Sequence, residues 1–220
     1  LMPLELERGG QAIEMTRLWS DFISPHITNL ACGVKPIRFQ RTKIVPEATG
    51  VVLEIGFGSG LNLPFYDGDK VQRLIGIDPS EGMQRLARER IEETDFEVEC
   101  INAEAEDIPI ETGAVDTVVC TYTLCTVPDP EEVLREMNRI LKAGGKLLFC
   151  EHGEAPDMRV RRFQRRVEPL WKIVVGGCHL TRDIENLIES SGFQIGSLDR
   201  MYLPSTPRFV GFNTWGWAKS

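Results

Sequence analysis

The stretch Val51-Val52-Leu53-Glu54-Ile55-Gly56-Phe57-Gly58-Ser59-Gly60-Leu61-Asn62 decides how the rest of the chain is read. A β-branched and leucine run, uncharged as far as Glu54, has the pattern of a buried parallel strand. It runs directly into three glycines at alternate positions. Glycine tolerates the left-handed dihedrals of a tight turn, and its missing Cβ lets a ligand approach the backbone. The pattern predicts a helix from about Leu61, with its free amides facing whatever lies over the loop. Arg73-Leu74-Ile75-Gly76-Ile77-Asp78 predicts a second strand, ending in an acid 18 residues past Gly60. An acid at that strand tip can accept from both hydroxyls of a ribose.

The details exclude two common nucleotide loops. The glycine spacing is GxGxG, and Leu61 stands where a dinucleotide fingerprint has its third glycine. Glu54, two residues before the first glycine, suits a cationic or amino group better than a pyrophosphate. The loop also lacks the lysine and hydroxyl pair of a Walker A motif.

The run Glu54-Ile55-Gly56-Phe57-Gly58-Ser59-Gly60, followed by Gly76-Ile77-Asp78-Pro79-Ser80-Glu81-Gly82-Met83, resembles the class I S-adenosylmethionine-dependent methyltransferases. Ala105–Ile110, Ala114–Val119 and Val133–Gly145 continue the resemblance in the family's order, over roughly residues 50–150. It implies an α/β, Rossmann-like fold: a seven-stranded, mainly parallel sheet with helices on both faces and the last strand antiparallel. It implies S-adenosyl-L-methionine as cofactor, with S-adenosyl-L-homocysteine as product. The cofactor-binding positions carried over are Glu54, Gly56, Phe57, Gly58, Gly60, Asn62, Asp78, Pro79, Met83, Glu104, Ala105 and Thr121. Among these, Glu104 and Ala105 stand where the family meets the adenine amino group, and Thr121 where it meets the methionine part.

Bulk properties narrow the class. A chain of 220 residues, 42% hydrophobic and 26% charged, suits one globular domain. Residues 1–49 are expected to form an N-terminal helical cap, with Trp19, Phe22, Ile23, Ile27 and Leu30 at helical spacing, and residues 50–220 the methyltransferase domain. A net charge of −8 makes nucleic acid an unsuitable partner. No apolar run approaches the roughly 20 residues of a membrane span, and no signal peptide or N-terminal anchor is expected. The six cysteines form no CxxC or metal-ligand spacing, so a reduced cytoplasmic chain without a metal is expected.

Outward from the loop, Asp129–Leu141 predicts an amphipathic helix, and Lys146–Cys150 a fifth strand that delivers Glu151 and His152 to the carboxyl edge of the sheet. Ligands bind at that edge in open α/β sheets. Thr121 and Tyr122 leave the fourth strand at the same edge, and His179 follows a glycine pair. Candidate catalytic residues are therefore His152, Glu151, His179 and Tyr122. The stretch Arg159–Arg166 suits plain solvent, an acidic substrate group or weak peripheral contact with an anionic lipid surface.

Glu151-His152, the arginine-rich helix and Gly177-Cys178-His179-Leu180-Thr181-Arg182, with Val119–Thr121 and Leu124-Cys125, add a narrower resemblance. They are similar to the thiol S-methyltransferases of the methyltransferase-like group. The module also resembles ubiquinone/menaquinone C-methyltransferases and phospholipid N-methyltransferases, less closely beyond residue 150. The acceptor is thus expected to be a small molecule. A thiol leads because it ionises near pH 8.5 and needs little help. Quinone C-methylation and phospholipid N-methylation follow, and a non-catalytic S-adenosylmethionine-binding protein is the alternative of another class.

Overall fold

The structure is a computed structural model and describes residues 24–220; Trp19, Phe22 and Ile23 of the expected cap lie outside the described residues. Seven strands form one sheet: β1 (Gly50–Ile55), β2 (Val71–Ile77), β3 (Glu97–Ile101), β4 (Val115–Thr121), β5 (Leu141–His152), β6 (Gln194–Tyr202) and β7 (Phe212–Lys219). Their order is β3-β2-β1-β4-β5-β7-β6. The first five strands pair in parallel, and β7 runs antiparallel to both β5 and β6. The expected sheet, with its antiparallel last strand, is the one observed.

Strand alternation sends neighbouring side chains to opposite faces. Leu53, Ile55, Val118, Cys120, Leu147 and Phe149 enter one buried cluster, while Val52, Val119, Leu148 and Cys150 enter another. The first is closed by α4 (Pro130–Ile140) through Val133, Leu134, Met137 and Ile140, and by α6 (Ile184–Ser190) through Ile184 and Ile188. The second receives Ile44 of α2 (Lys35–Ile44) and Ala87 of α3 (Glu81–Glu92). Helices therefore cover both faces.

Local chemistry sets the helix ends. Asp129 caps α4 through the amides of Glu131 and Glu132, and Ser80 caps α3 through Met83, satisfying amides that lack helical partners. Pro36 sits in the first turn of α2, where its missing N–H costs nothing. A short helix α1 (Ser24–Cys32) precedes it, while α5 (Met158–Val174) and α7 (Arg208–Gly211) complete the set.

One expectation needs correction. No α-helix follows the glycine loop: Leu61 lies in turns, and one 3-10 turn, Leu63–Phe65, leads toward β2. The segment is short, and Asp67-Gly68-Asp69 gives the chain a turn in place of further helix. The amides over the loop are therefore the loop's own. On α5, the face that carries Phe163 and Leu170 is largely open, these two side chains being 48% and 69% exposed. Only part of that face packs, with Phe163 and Trp171 set edge-on to Phe209. Arg161 and Arg165 pair with Glu154.

Candidate active site

The carboxyl ends of β1, β2 and β4 enclose a cavity of about 330 Å³, the size of a small-molecule site. Gly56, Gly58 and Gly60 have φ of 67°, 56° and 73°, the left-handed region that disfavours side chains. The turn they make carries the Gly58 amide to Asp78, whose Oδ2 accepts it at 2.9 Å, while Oδ1 accepts the Ser80 amide at 2.8 Å. Asp78 lines the cavity, and burial pushes its carboxyl above the usual range against the pull of those two amides. Pro79, Met83, Glu104 and Ala105 line the same region.

Glu54 also faces the cavity, although it is only 2% exposed. Its Oε2 accepts from the Tyr66 hydroxyl at 2.6 Å. Burial raises its pKa to about 7; Tyr66 and Arg41 pull the other way. Arg41 enters from α2, and its Nη1 donates to Asn62 Oδ1 at 2.7 Å and to Thr121 Oγ1 at 2.8 Å. Asn62 Nδ2 donates to the same Thr121 oxygen at 3.0 Å. Among the described residues Arg41 Nε is buried without a partner, and Arg41 lines the cavity, where an anionic group would satisfy such a donor. Thus the cavity joins an acid at one strand tip, a buried acid and a buried cation held by separate partners, and the backbone of the glycine loop. That donor set fits a zwitterionic nucleoside.

The sequence candidates separate in space. Glu54, Gly56, Phe57, Gly58, Asp78, Pro79, Met83, Glu104, Ala105, Thr121 and Tyr122 line the cavity. Gly60 and Asn62 do not: Gly60 turns the loop over Leu63, and Asn62 lies behind Thr121. Tyr122 has φ of 55°, and its hydroxyl donates to Asn213 Oδ1 at 2.6 Å. Burial pushes its phenol well up, so it stays protonated.

Glu151, His152 and His179 are absent from the lining. Glu151 is fully buried, and its Oε1 accepts from the amides of Thr123 and Leu124 at 2.7 and 3.1 Å. It holds the loop after β4 in place. His152 Nε2 lies 2.9 Å from Cys178 Sγ. His179 Nδ1 faces Glu168 at 3.5 Å, and its amide donates to the Cys125 carbonyl at 2.7 Å.

Sequence reading missed Arg41, Cys32 and the connector residues Val175 and Gly176, all in the cavity wall. Arg41 carried a usable signal. It falls between Ile37 and Ile44 at helical spacing, a charge within an apolar stripe. The cysteine reading missed a convergence too: Cys125, His152 and Cys178 share no metal-type spacing, yet they meet in space.

Comparison with known proteins agrees with this geometry. Residues 53–149 match the family described as "Methyltransferase domain". The chain is 36% identical over 170 residues to thiol S-methyltransferase TMT1B of Rattus norvegicus, covering 73% of this chain and 68% of the relative. It is 32% identical over 177 residues to thiol S-methyltransferase TMT1A of Homo sapiens, covering 79% and 72%. Phosphatidylethanolamine and demethylmenaquinone methyltransferases match over shorter spans. In three dimensions it is similar to an S-adenosylmethionine-dependent methyltransferase of Mesorhizobium loti, with a TM-score of 0.63 at 18% identity over 82% of this chain and 96% of that one. No helix among the described residues is long and apolar enough to cross a membrane. With its glycine loop, the acid at the tip of β2 and its sheet order, the chain belongs to the class I S-adenosylmethionine-dependent methyltransferases.

Proposed function

We propose that the enzyme methylates the sulfur of a small thiol. One observation carries this reading beyond the names of the relatives. Away from Asp78 and the acidic turn Glu104–Glu106, the wall is made by Pro25, Thr28, Cys32, Tyr122, Val175 and Gly176. Among the described lining residues there is no imidazole, and the one further carboxylate, Glu54, is held by the Tyr66 hydroxyl at 2.6 Å. A carbon or phenol acceptor needs a base or a metal, whereas an alkyl thiol reaches its anion unaided near pH 8.5.

S-Adenosylmethionine supplies a sulfonium methyl group open to in-line displacement. Bound there, it would give its methyl to the acceptor sulfur, the pair of the broken C–S bond staying on the donor sulfur and the thiol proton passing to solvent. The protein's contribution is alignment. Asp78 takes the ribose, Glu104 and Ala105 the adenine edge, Arg41 the donor carboxylate and Glu54 its ammonium. Glu151 acts at one remove, by fixing Thr123 and Leu124, and Tyr122 shapes the acceptor side.

The test follows S-adenosylhomocysteine with small alkyl thiols, a demethylated menaquinol and phosphatidylethanolamine vesicles as acceptors. Turnover should be confined to thiols and should rise with their ionised fraction. Product from the quinol or the lipid alone would replace the thiol reading with that of the corresponding relative. Tight donor binding without product from any acceptor would also overturn it.

Glu54 makes the donor site pH-sensitive. Its folded pKa, about 7, lies above the ordinary 4.5. Between those values the unfolded chain has released its proton while the folded chain keeps it. Stability therefore falls as pH rises from about 4.5 to about 7, by about 3 kcal/mol, and is level above that range. A donor ammonium beside Glu54 requires the carboxylate, so donor affinity should weaken roughly tenfold per unit below about pH 7. In Glu54→Gln the stability slope should become shallower, with the part from the other buried carboxyls Asp78 and Glu151 remaining, and the affinity slope should be largely lost, as read by urea titration and by calorimetry. A variant that keeps the wild-type slopes would assign them to another group.

A further inference from the structure

Cys125 lies in the loop after β4, His152 ends β5, and Cys178 lies in the connector from α5 to α6. Their two Sγ atoms and one imidazole nitrogen all fall within 4.8 Å of one another. We propose that these three side chains form a binding site for a soft divalent cation of the zinc class.

Two thiolates and an imidazole are the donors such ions favour over magnesium or calcium. The charge closes as well: two thiolates and a neutral imidazole around a dication leave no net charge in a buried place. Burial is substantial, since Cys125 and Cys178 are 3% and 6% exposed. The outer contacts suit the same purpose. Trp171 Nε1 donates to Cys178 Sγ at 3.3 Å, and the His179 amide fixes the Cys125 carbonyl at 2.7 Å. One outer contact is missing among the described residues: His152 Nδ1, from which a metal-bound imidazole normally donates, is buried without a partner, while Nε2 faces the cluster.

The spacing requires only a small adjustment. Ligand atoms around a tetrahedral zinc stand about 3.5 Å apart, given bonds of about 2.0–2.3 Å. His152 Nε2 and Cys178 Sγ, at 2.9 Å, must open by well under an ångström. Gly176 and Gly177, with φ of 55° and 88°, lie just before Cys178 and let the connector give that much. Two protons, those the three side chains share before binding, leave for solvent as the ion enters. Three protein ligands leave a fourth position for water.

The place of the site gives it a consequence. Each ligand sits beside the donor cavity without lining it, and Thr126, Val175 and Gly176, next to Cys125 and Cys178, do line it. An ion would join the β4 loop, the end of β5 and the connector, and so stiffen one wall of the cavity. This requires no particular methyl acceptor.

The test uses the full chain, purified reduced, stripped with a chelator and titrated with Co2+ and then Zn2+. One ion should bind per chain, with sulfur-to-cobalt charge-transfer absorption that Zn2+ abolishes, and Zn2+ should raise the Tm. Cys125→Ser and Cys178→Ser should each weaken Zn2+ by at least about tenfold, a loss that even outer partners of metal ligands produce. Cys100→Ser, on β3, should bind as the parent does. Three outcomes overturn the proposal: no charge-transfer band in the reduced parent chain, Zn2+ retained unchanged by Cys178→Ser, or a Cys125–Cys178 disulfide in metal-free protein that dithiothreitol opens without creating a Zn2+ site. The first of these needs no variant and stands even if the serine chains fail to fold.

Discussion

Replacing Gly56 by Ala is expected to abolish donor binding and to cost about 2–5 kcal/mol of stability. The left-handed φ of 67° accounts for about 1–2 kcal/mol of it in any residue with a Cβ. The rest is collision. A Cβ there would lie 2.2 Å from Thr123 Oγ1 and 2.6 Å from its Cγ2. Thr123 cannot withdraw cheaply, because its hydroxyl donates to the Ile55 carbonyl at 3.1 Å and its amide to Glu151 Oε1 at 2.7 Å. Relieving the overlap must move the glycine loop or the loop after β4, and overpacking of that kind costs about 1–3 kcal/mol. Gly113→Ala is the control. It has the same φ of 67°, with nothing within 4 Å of the added carbon, so it should show the backbone cost alone and keep donor binding. Calorimetry and urea titration of both variants decide the matter. Equal behaviour of the two would mean that Thr123 yields freely and that the contact does not shape the site.

Asp78→Ala should weaken S-adenosylmethionine binding by about a hundredfold to about ten-thousandfold, while the chain remains folded. Two charge-assisted hydrogen bonds to the ribose are each worth about 1.5–3 kcal/mol, and each 1.4 kcal/mol is a factor of ten. The upper end reflects a second job of this side chain. Its oxygens also accept the amides of Gly58 and Ser80, so its removal loosens the loop as well as the ribose contact. Asp78→Asn separates the two effects, because its remaining carbonyl keeps one amide partner and the amide nitrogen cannot accept. Its donor affinity should fall between parent and Ala. A folded Asp78→Ala chain with parental affinity would place the nucleoside elsewhere in the cavity.

Elements whose meaning is local were legible from the chain itself. The β1 run, the alternate glycines and Asp78 work through backbone dihedrals and strand ends, and these depend on residues adjacent in sequence. The mainly parallel sheet followed for a related reason: apolar runs separated by amphipathic helices leave few ways to build anything else. The helix expected after Gly60 failed because local propensity there is weak, and the turn at Asp67-Gly68-Asp69 shortened the segment.

Which way a side chain points once its strand has ended is a different kind of question, and only the tertiary structure decided it. Sequence places Glu151 and His152 at the carboxyl edge and does not distinguish which of them faces a ligand. In the fold, Glu151 turns under the β4 loop to meet two amides, and His152 turns toward Cys178, which arrives from a connector beyond α5. Arg41 reaches the cavity only because α2 packs over the sheet. Strand period and glycine spacing are properties of the chain. The partners of a buried charge depend on register and on how distant segments return, and no sequence window contains both sides of those contacts.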